Sequence, residues 1–286
     1  MGDPPRGRAL SGPLGEMESG ASSPLIPTGL EASLVLVRHG ESEYIVEGRF
    51  QGQAETPLSP TGLRQAALVA DRLAHPHESP ALPLSEGPFR ELVHSPLRRT
   101  TQTAEAISAT MVPSPTGRPE PGFLEIGQGE WEGMHRTEIG DRYGDTLAAW
   151  RQTPTLAWAP GGESLAQVAA RVRPALTSVL ATLAVGRAPG TLDRPQVAGY
   201  GPAPVDVPWS IVVAHDGVFK VSLLTLFDLP LERFWMWSMD LCAITVVEFR
   251  AGRAVLRAHN LTGHLSTLLD EETQAAQERR SRSGAL

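Results

Sequence analysis

From residue 31 onward, short unbroken apolar runs alternate with stretches in which apolar residues recur at helical spacing. Leu34 to Val37, within "SLVLVRHGESEY", has the length and β-branched composition of a strand covered on both faces. The next periodic stretch, "LSPTGLRQAALVADRLA", has Ser59 at an N-cap position, Pro60 at the first helical position, and Leu63, Ala66, Ala67, Ala70 and Leu73 on one face. "ELVHS" (91–95) reads as a second short strand, followed by a helix through "RRTTQTAEAIS". In "ESLAQVAARVRPALTSVLATLA", Leu165, Val168, Ala169, Val172, Leu176 and Val179 form a helical stripe, and Pro174 is expected to kink it. "WSIVVAH" (209–215) is a third buried strand with the helix "GVFKVSLLTLF" after it; "CAITVVEFR" and "AVLRAHN" read as a terminal hairpin. Strand–helix alternation of this kind predicts an α/β fold. The expected form is a three-layer α/β/α sandwich whose central sheet is mainly parallel.

Composition sets the boundaries. Residues 1–30 contain six Gly, five Pro and four Ser, half of the segment, and read as a disordered N-terminal extension. "GRAPGTLDRPQVAGYGPAPVDVP" (186–208) holds nine Gly and Pro and reads as a surface insertion, while 269–286 is a polar tail expected to fray. One domain, 31–268, remains. The hydrophobic content of 41% over 286 residues is enough for a substantial core.

The net charge of −7 argues against a general nucleic-acid or anionic-membrane binder. Lys220 is the single lysine among 25 basic residues, so any anion site is built from guanidinium forks. The single cysteine, Cys242, reads as a small core residue. No apolar run approaches the ~20 residues of a membrane span. The first residues lack a basic segment followed by an apolar one, and a cytoplasmic location is expected. Oligomeric state is not legible.

Three predicted strands end in polar residues: Arg38-His39, Ser95 to Arg99, and His215-Asp216-Gly217. In a parallel sheet these ends open on one crevice, where open α/β sheets bind ligands. Two histidines, two arginines and helix N-termini suit a phosphoryl dianion. "FLEIGQGEWEG" (123–133) supplies a carboxylic acid, Glu125, in a glycine-rich loop near Trp131.

With these residues in place, the chain resembles the histidine phosphatase superfamily, the phosphoglycerate mutase-like proteins, over most of 33–265. "RHGESEYIVEGRFQGQAETPLSPTGLRQA", "SPLRRTTQTA", "LEIGQGEWEG", "APGGESLAQVAARV" and "VVAHDGV" follow the family's motifs in order. The resemblance implies a phosphoglycerate mutase-like fold and a small-molecule phosphate ester as substrate. It implies His39 as the nucleophile, forming a phosphohistidine, with Arg38, Arg99 and His215 holding phosphoryl oxygens and Glu125 donating the proton. It implies no metal and no cofactor. Arg99 rather than Arg98 fits the motif Ser-x-Leu-x-Arg. The chemistry agrees: fixed cations match the charge spread over the equatorial oxygens, and an alkoxide leaving group needs a protonated acid. A protonated His215 is expected among the cations, and burial beside Trp131 is expected to raise the pKa of Glu125.

The chain departs from the family at Ile45, where Asn is frequent; Ser42 is the expected substitute phosphate donor. Glu55 stands for the usual Asp, and Asp216 for a common Gly. Asp216 beside an anion site is expected to point away or to keep His215 protonated.

The expected activity is that of a metal-independent phosphomonoesterase, a phosphoric monoester hydrolase of the histidine acid phosphatase type. Cofactor-dependent mutases usually follow the acid with Arg-His-Tyr-Gly, where this chain has Ile126-Gly127-Gln128-Gly129, so mutase-type transfer is the alternative. A phosphate-binding scaffold is the other alternative, and the complete set of site residues opposes it. "LAWAPGGES" resembles phosphatases acting on glucosylated phosphoglycerate, with specificity assigned to loops 134–160 and 186–208. His75 and His77 read as surface, "RFWMWSM" (233–239) as a core helix end or pocket wall, and Glu163 as a helix N-terminal carboxylate. Trp150 and Trp158 leave open a lid or plain packing.

Overall fold

The first strand, β1 (Ala32–Arg38), is buried along its whole length except at Arg38, as its unbroken apolar run requires. The structure, a computed structural model, describes residues 24–185 and 206–268. Most of the expected N-terminal extension (1–23), most of the 186–208 insertion (186–205) and the tail 269–286 lie outside the described residues. In chain order β1 is followed by α1 (Glu43–Glu47), α2 (Pro60–Ala74), β2 (Phe89–His94), α3 (Arg98–Thr110) and β3 (Gly117–Pro119). Then come α4 (Arg136–Gln152), α5 (Leu165–Ala184), β4 (Trp209–Ala214), α6 (Asp216–Leu226), β5 (Ile244–Arg250) and β6 (Arg253–Leu261).

Among the described residues these strands form one six-stranded sheet in the order β3-β2-β4-β1-β5-β6. β1, β2, β3 and β4 pair in parallel, β5 runs antiparallel to β1, and β6 antiparallel to β5. Only β5 therefore opposes the common direction. β5 and β6 are the expected hairpin, joined by a two-residue turn at Ala251-Gly252.

Side chains alternate between the two faces of the sheet. Leu34, Leu36, Val212 and Ala214 pack with Val172, Leu176 and Val179 of α5 and with Val218 and Phe219 of α6. Val35, Val37, Ile211 and Val213 pack with Val69, Ala70 and Leu73 of α2 and with Ala104 and Ile107 of α3. This is the three-layer sandwich. The helix after β1 covers one face and the helix after β4 the other, so the chain diverges between these two neighbours and leaves a crevice at their carboxyl ends.

Two helical expectations shift. The buried face of α2 is Gly62, Gln65, Ala66, Val69, Ala70 and Leu73, whereas Leu63 and Ala67 are exposed. The stripe is turned because Gly62 must lie against the loop after β1. Residues 134–160 are not one loop: α4 occupies most of them, broken at Tyr143 (φ −132°, ψ 25°). Its many polar residues and two glycines hide the helical period. α5 runs unbroken from Leu165 to Ala184 through Pro174, and its stripe is as expected except that Ala169 is only half-buried.

Candidate active site

Register brings the strand ends level. Arg38 pairs with Ala214 across β1–β4, and His94 pairs with Val213 across β2–β4. The His39 amide then donates to the Ala214 carbonyl at 3.0 Å, and the Ser95 amide to that of Val213 at 2.9 Å. The crevice is lined by Arg38, His39, Arg99 and Glu125, together with Gln51, Gln128 and Asp216, and walled by Phe50, Ile126, Trp150 and Phe234.

His39 is almost fully buried, and its Nδ1 lies 2.6 Å from the Gly40 carbonyl. Burial, then Arg99 and Arg38, hold its pKa well below the usual imidazole value. The glycine after it serves packing: a Cβ on Gly40 would come within 2.6 Å of the Gly62 carbonyl oxygen, backbone of α2. The close approach is thus to protein backbone, not, as Gly40's position suggests, to a ligand.

Arg99 is wholly inside and donates to the carbonyls of Ala54 (2.9 Å) and Gly52 (2.8 Å). Burial lowers its pKa to about 10, which leaves it charged at neutral pH. Arg98 is exposed, as a solvated neighbour should be. Arg38 donates to the Met239 carbonyl.

His215 is fully buried at the N-cap of α6. Its ring centroid lies 5.1 Å from that of His39 at an interplanar angle of 62°; it packs behind His39 and is not among the residues lining the crevice. Its Nε2 is 2.8 Å from Ser95 Oγ, which itself accepts from the Leu97 amide at 3.5 Å. In the tautomer whose Nε2 accepts from the Ser95 hydroxyl, the proton of a neutral ring is on Nδ1. The expectation of a protonated His215 is corrected: burial, Arg99, His39 and Arg38 push its pKa well below the ordinary value. Among the described residues, His215 Nδ1 and the Nε atoms of Arg38 and Arg99 are buried without a hydrogen-bond partner. Arg38 and Arg99 line the crevice, and their Nε–H groups are donors without a protein partner.

Glu125 is held by backbone. Its Oε1 accepts from Ile126 (2.9 Å) and Val218 (3.0 Å), and its Oε2 from Gly217 (3.2 Å). A Cβ on Gly217 would stand 2.7 Å from that carboxylate and would push it from its place. Burial first, and the nearby Asp216 charge second, raise the pKa of Glu125. Burial is the expected cause and Asp216 the unexpected one, while Trp131 packs edge-on against Phe50 at 5.8 Å. The other acids of the loop are occupied: Glu132 accepts from the Gln53 and Gln128 amides, both at 2.9 Å, and Glu130 from the Tyr143 hydroxyl at 2.6 Å.

Ser42 is brought near but not into the crevice. It is buried as the N-cap of α1 and donates to Gln51 Oε1 at 2.6 Å. Gln51 is the residue that reaches the cavity. Sequence reasoning placed the lost Asn donor on Ser42; the "FQG" triplet held the better candidate. Asp216 neither points away nor protonates His215: it lines the crevice and pairs with Lys220 at 2.7 Å.

Glu163 precedes Ser164, the N-cap of α5, and is held by side chains and a loop amide. It accepts from Arg171 at 2.7 and 2.8 Å, from the Gly127 amide at 2.8 Å and from Gln53 at 3.1 Å. Arg171 also donates to the carbonyls of Gly122, Leu124 and Glu125. The loop carrying Glu125 is thereby fastened to α5. Burial opposes ionisation of Glu163, but Arg171 and Gly127 outweigh it and its pKa is lowered. Trp150 and Phe234 are crevice walls, in contact at 5.5 Å, while Trp158 is exposed.

The model of the histidine phosphatase superfamily (branch 1) matches residues 34–187 and 206–262. Phosphoserine phosphatase 1 of Hydrogenobacter thermophilus is 28% identical over 246 residues, 85% of this chain and 98% of that protein. Glucosyl-3-phosphoglycerate phosphatase of Mycobacterium tuberculosis is 32% identical over 205 residues, 70% of this chain and 78% of that protein. The solved structure of a mycobacterial glucosyl-3-phosphoglycerate phosphatase complexed with VO3 superposes with a TM-score of 0.63 at 27% identity, covering 81% of this chain and all of that one. Bacillus stearothermophilus YhfR, at 23% identity and a TM-score of 0.64, shares the fold over 82% of this chain and 99% of that one.

Proposed function

The chain belongs to the histidine phosphatase superfamily, and from that premise we propose that it hydrolyses a small phosphorylated metabolite through a phosphohistidine on His39. The observation that carries this reading is the sharing of one crevice by His39, Arg38, Arg99 and Glu125. Nε2 of His39 attacks phosphorus as the ester P–O bond breaks, and the departing alkoxide takes the proton of Glu125. Arg38 and Arg99, which line the crevice, receive the equatorial oxygens, and His215 packs against the ring of His39. In the second step Glu125, now a carboxylate, accepts a proton from water as its oxygen attacks phosphorus. The P–N bond breaks, and inorganic phosphate leaves with His39 and protonated Glu125 restored. No step calls on a metal or a cofactor.

The named relatives act on phosphoserine and glucosyl-3-phosphoglycerate, and a small alcohol carrying one phosphoryl group is the substrate class we assign. The histidine acid phosphatase type is the finer form of this reading, and the family model that matches is that of branch 1. We further place the activity in the cytoplasm, in a single catalytic unit over 31–268, with neither nucleic acid nor membrane as partner. Among the described residues no helix is long and apolar enough to cross a membrane.

Phosphate release from a panel of metabolite monoesters, set against interconversion of 2- and 3-phosphoglycerate, tests this choice. Release is expected. Interconversion without release would reverse it in favour of a mutase, and no turnover of any ester would favour a phosphate-binding scaffold.

A further inference from the structure

Two carboxylates meet at the N-terminus of α6. Glu125 reaches it from outside and takes the amides of Gly217 and Val218; Asp216 is the first residue of the helix itself. Those amides, the positive end of the helix and Arg99 all favour the ionised form of Glu125. A leaving-group acid must nevertheless start protonated, so something has to oppose them. Burial is one opponent. The other is Asp216, placed where the family commonly has glycine.

Asp216 can act this way only if it keeps its own charge. It and Lys220 are 4% and 3% exposed, and their charges are 2.7 Å apart across one helical turn. The Lys220 ammonium lies 5.4 Å from the ring centroid of Phe234 and 5.1 Å from that of Trp235, a cation–π setting that holds it in place. The chain's single lysine is thus committed to one buried carboxylate. A buried pair of this kind seldom stabilises a fold relative to apolar replacements, which leaves room for a role in the chemistry.

We propose that Asp216, paired with Lys220 at the end of α6 that receives Glu125, is a positioning residue that retains the leaving-group proton on Glu125. The inference rests on the proposed role of Glu125. The charged and titratable groups around Glu125 come from every neighbouring element. Arg38 ends β1 and His39 follows it, Arg99 lies on α3, and Glu55 and Glu132 stand in the loops around Arg99. Arg171 and Glu163 hold the Glu125 main chain and the loop after it, and His215 precedes Asp216. Arg38 and Arg99 favour loss of the proton; of the carboxylates, Asp216 shares the helix end that receives Glu125.

The test compares the unmutated protein with Asp216→Asn, using glycerol 2-phosphate as the alkyl ester and p-nitrophenyl phosphate as the aryl ester. Removing the charge should move the alkaline limb of kcat for the alkyl ester down by about one pH unit. At a pH above the new limb, alkyl turnover should fall ~tenfold, while single-turnover phosphorylation by the aryl ester falls less. An unmoved limb, or equal losses for both esters at every pH, overturns the proposal. If Asp216→Asn fails to fold by circular dichroism, the pair Asp216→Asn with Lys220→Met removes both charges, leaves no unpaired buried cation, and predicts a shift in the same direction but smaller, an unmoved limb again overturning the proposal. Absence of turnover of both esters by the unmutated protein would instead overturn the function proposed for the site, and this inference with it.

Discussion

Nδ1 of His39 lies 2.6 Å from the carbonyl oxygen of Gly40, a contact in which only the ring can supply the proton. The lone pair of a neutral ring is then on Nε2. Protonation of Nε2 would quench the nucleophile, but burial and the two arginines hold the pKa well below its ordinary 6.5. Single-turnover phosphorylation by p-nitrophenyl phosphate should therefore keep its rate as pH falls from 7.5 through 6.5. Half-loss at pH 6.5 or above would contradict this electrostatic account.

The same shift has a stability consequence. His39 and His215 have folded pKa values below their unfolded ones, so below pH 6.5 the unfolded chain binds more protons than the native one. Stability falls as pH drops from there through the folded values. Each buried imidazole accounts for up to about 1.4 kcal/mol by pH 5.5. Urea midpoints between pH 7.5 and 5.5 should decline, and decline less steeply in His215→Asn; parallel slopes would show that His215 binds its proton equally in both states.

Glu125 should matter in proportion to the basicity of the leaving group. Glu125→Gln removes the transferable proton and should slow phosphohistidine formation from an alkyl ester by about 10²–10⁴-fold. Formation from p-nitrophenyl phosphate, whose leaving group is a much weaker base, should lose less. Equal losses would reject Glu125 as the leaving-group acid; Glu130 and Glu132, each with its own partner, would then be the alternatives.

The fold and four of the crevice residues were legible because their signals are local. An apolar β-branched run followed by Arg38-His39, and the like runs before Ser95 and His215, each mark a strand end. Strand alternation then sets those ends in one crevice. What escaped depends on distance in sequence. Gln51 was missed and Ser42 taken for the substitute Asn donor, because the sequence does not show which side chain reaches the crevice. Their 2.6 Å contact, which leaves Gln51 in the crevice, is fixed by a loop whose path has no periodicity. The grip of Arg171 on the loop of Glu125 joins positions 46 residues apart, and only packing of α5 on the sheet reveals it. α4 was missed because polar residues and glycines carry little helical pattern.

Arg171 donates to three carbonyls of the acid loop and forks onto Glu163. Arg171→Gln leaves those carbonyls and a part-buried carboxylate short of donors, a cost of about 2–3 kcal/mol. It should also lower kcat for alkyl esters while inhibition by inorganic phosphate is nearly unchanged, because the phosphoryl pocket does not include it. Denaturant titration and product inhibition measure both; unaltered stability would remove the clamp from the account.

Trp150 and Phe234 are apolar walls of the crevice and offer no charge to a phosphoryl group, so their expected role is toward the alcohol portion of an ester. Trp150→Leu should raise KM for an organic ester several-fold with the inhibition constant of inorganic phosphate unchanged. Equal weakening of both would place Trp150 in general packing instead.

The central claim is that phosphorus is passed to His39. Rapid quenching of the protein during turnover of a radiolabelled phosphate ester tests it directly. The account predicts a phosphoprotein that is labile in acid and stable in base, with the label on His39 and absent from His39→Ala. Turnover without a labelled intermediate, or a label that persists in His39→Ala, would contradict it.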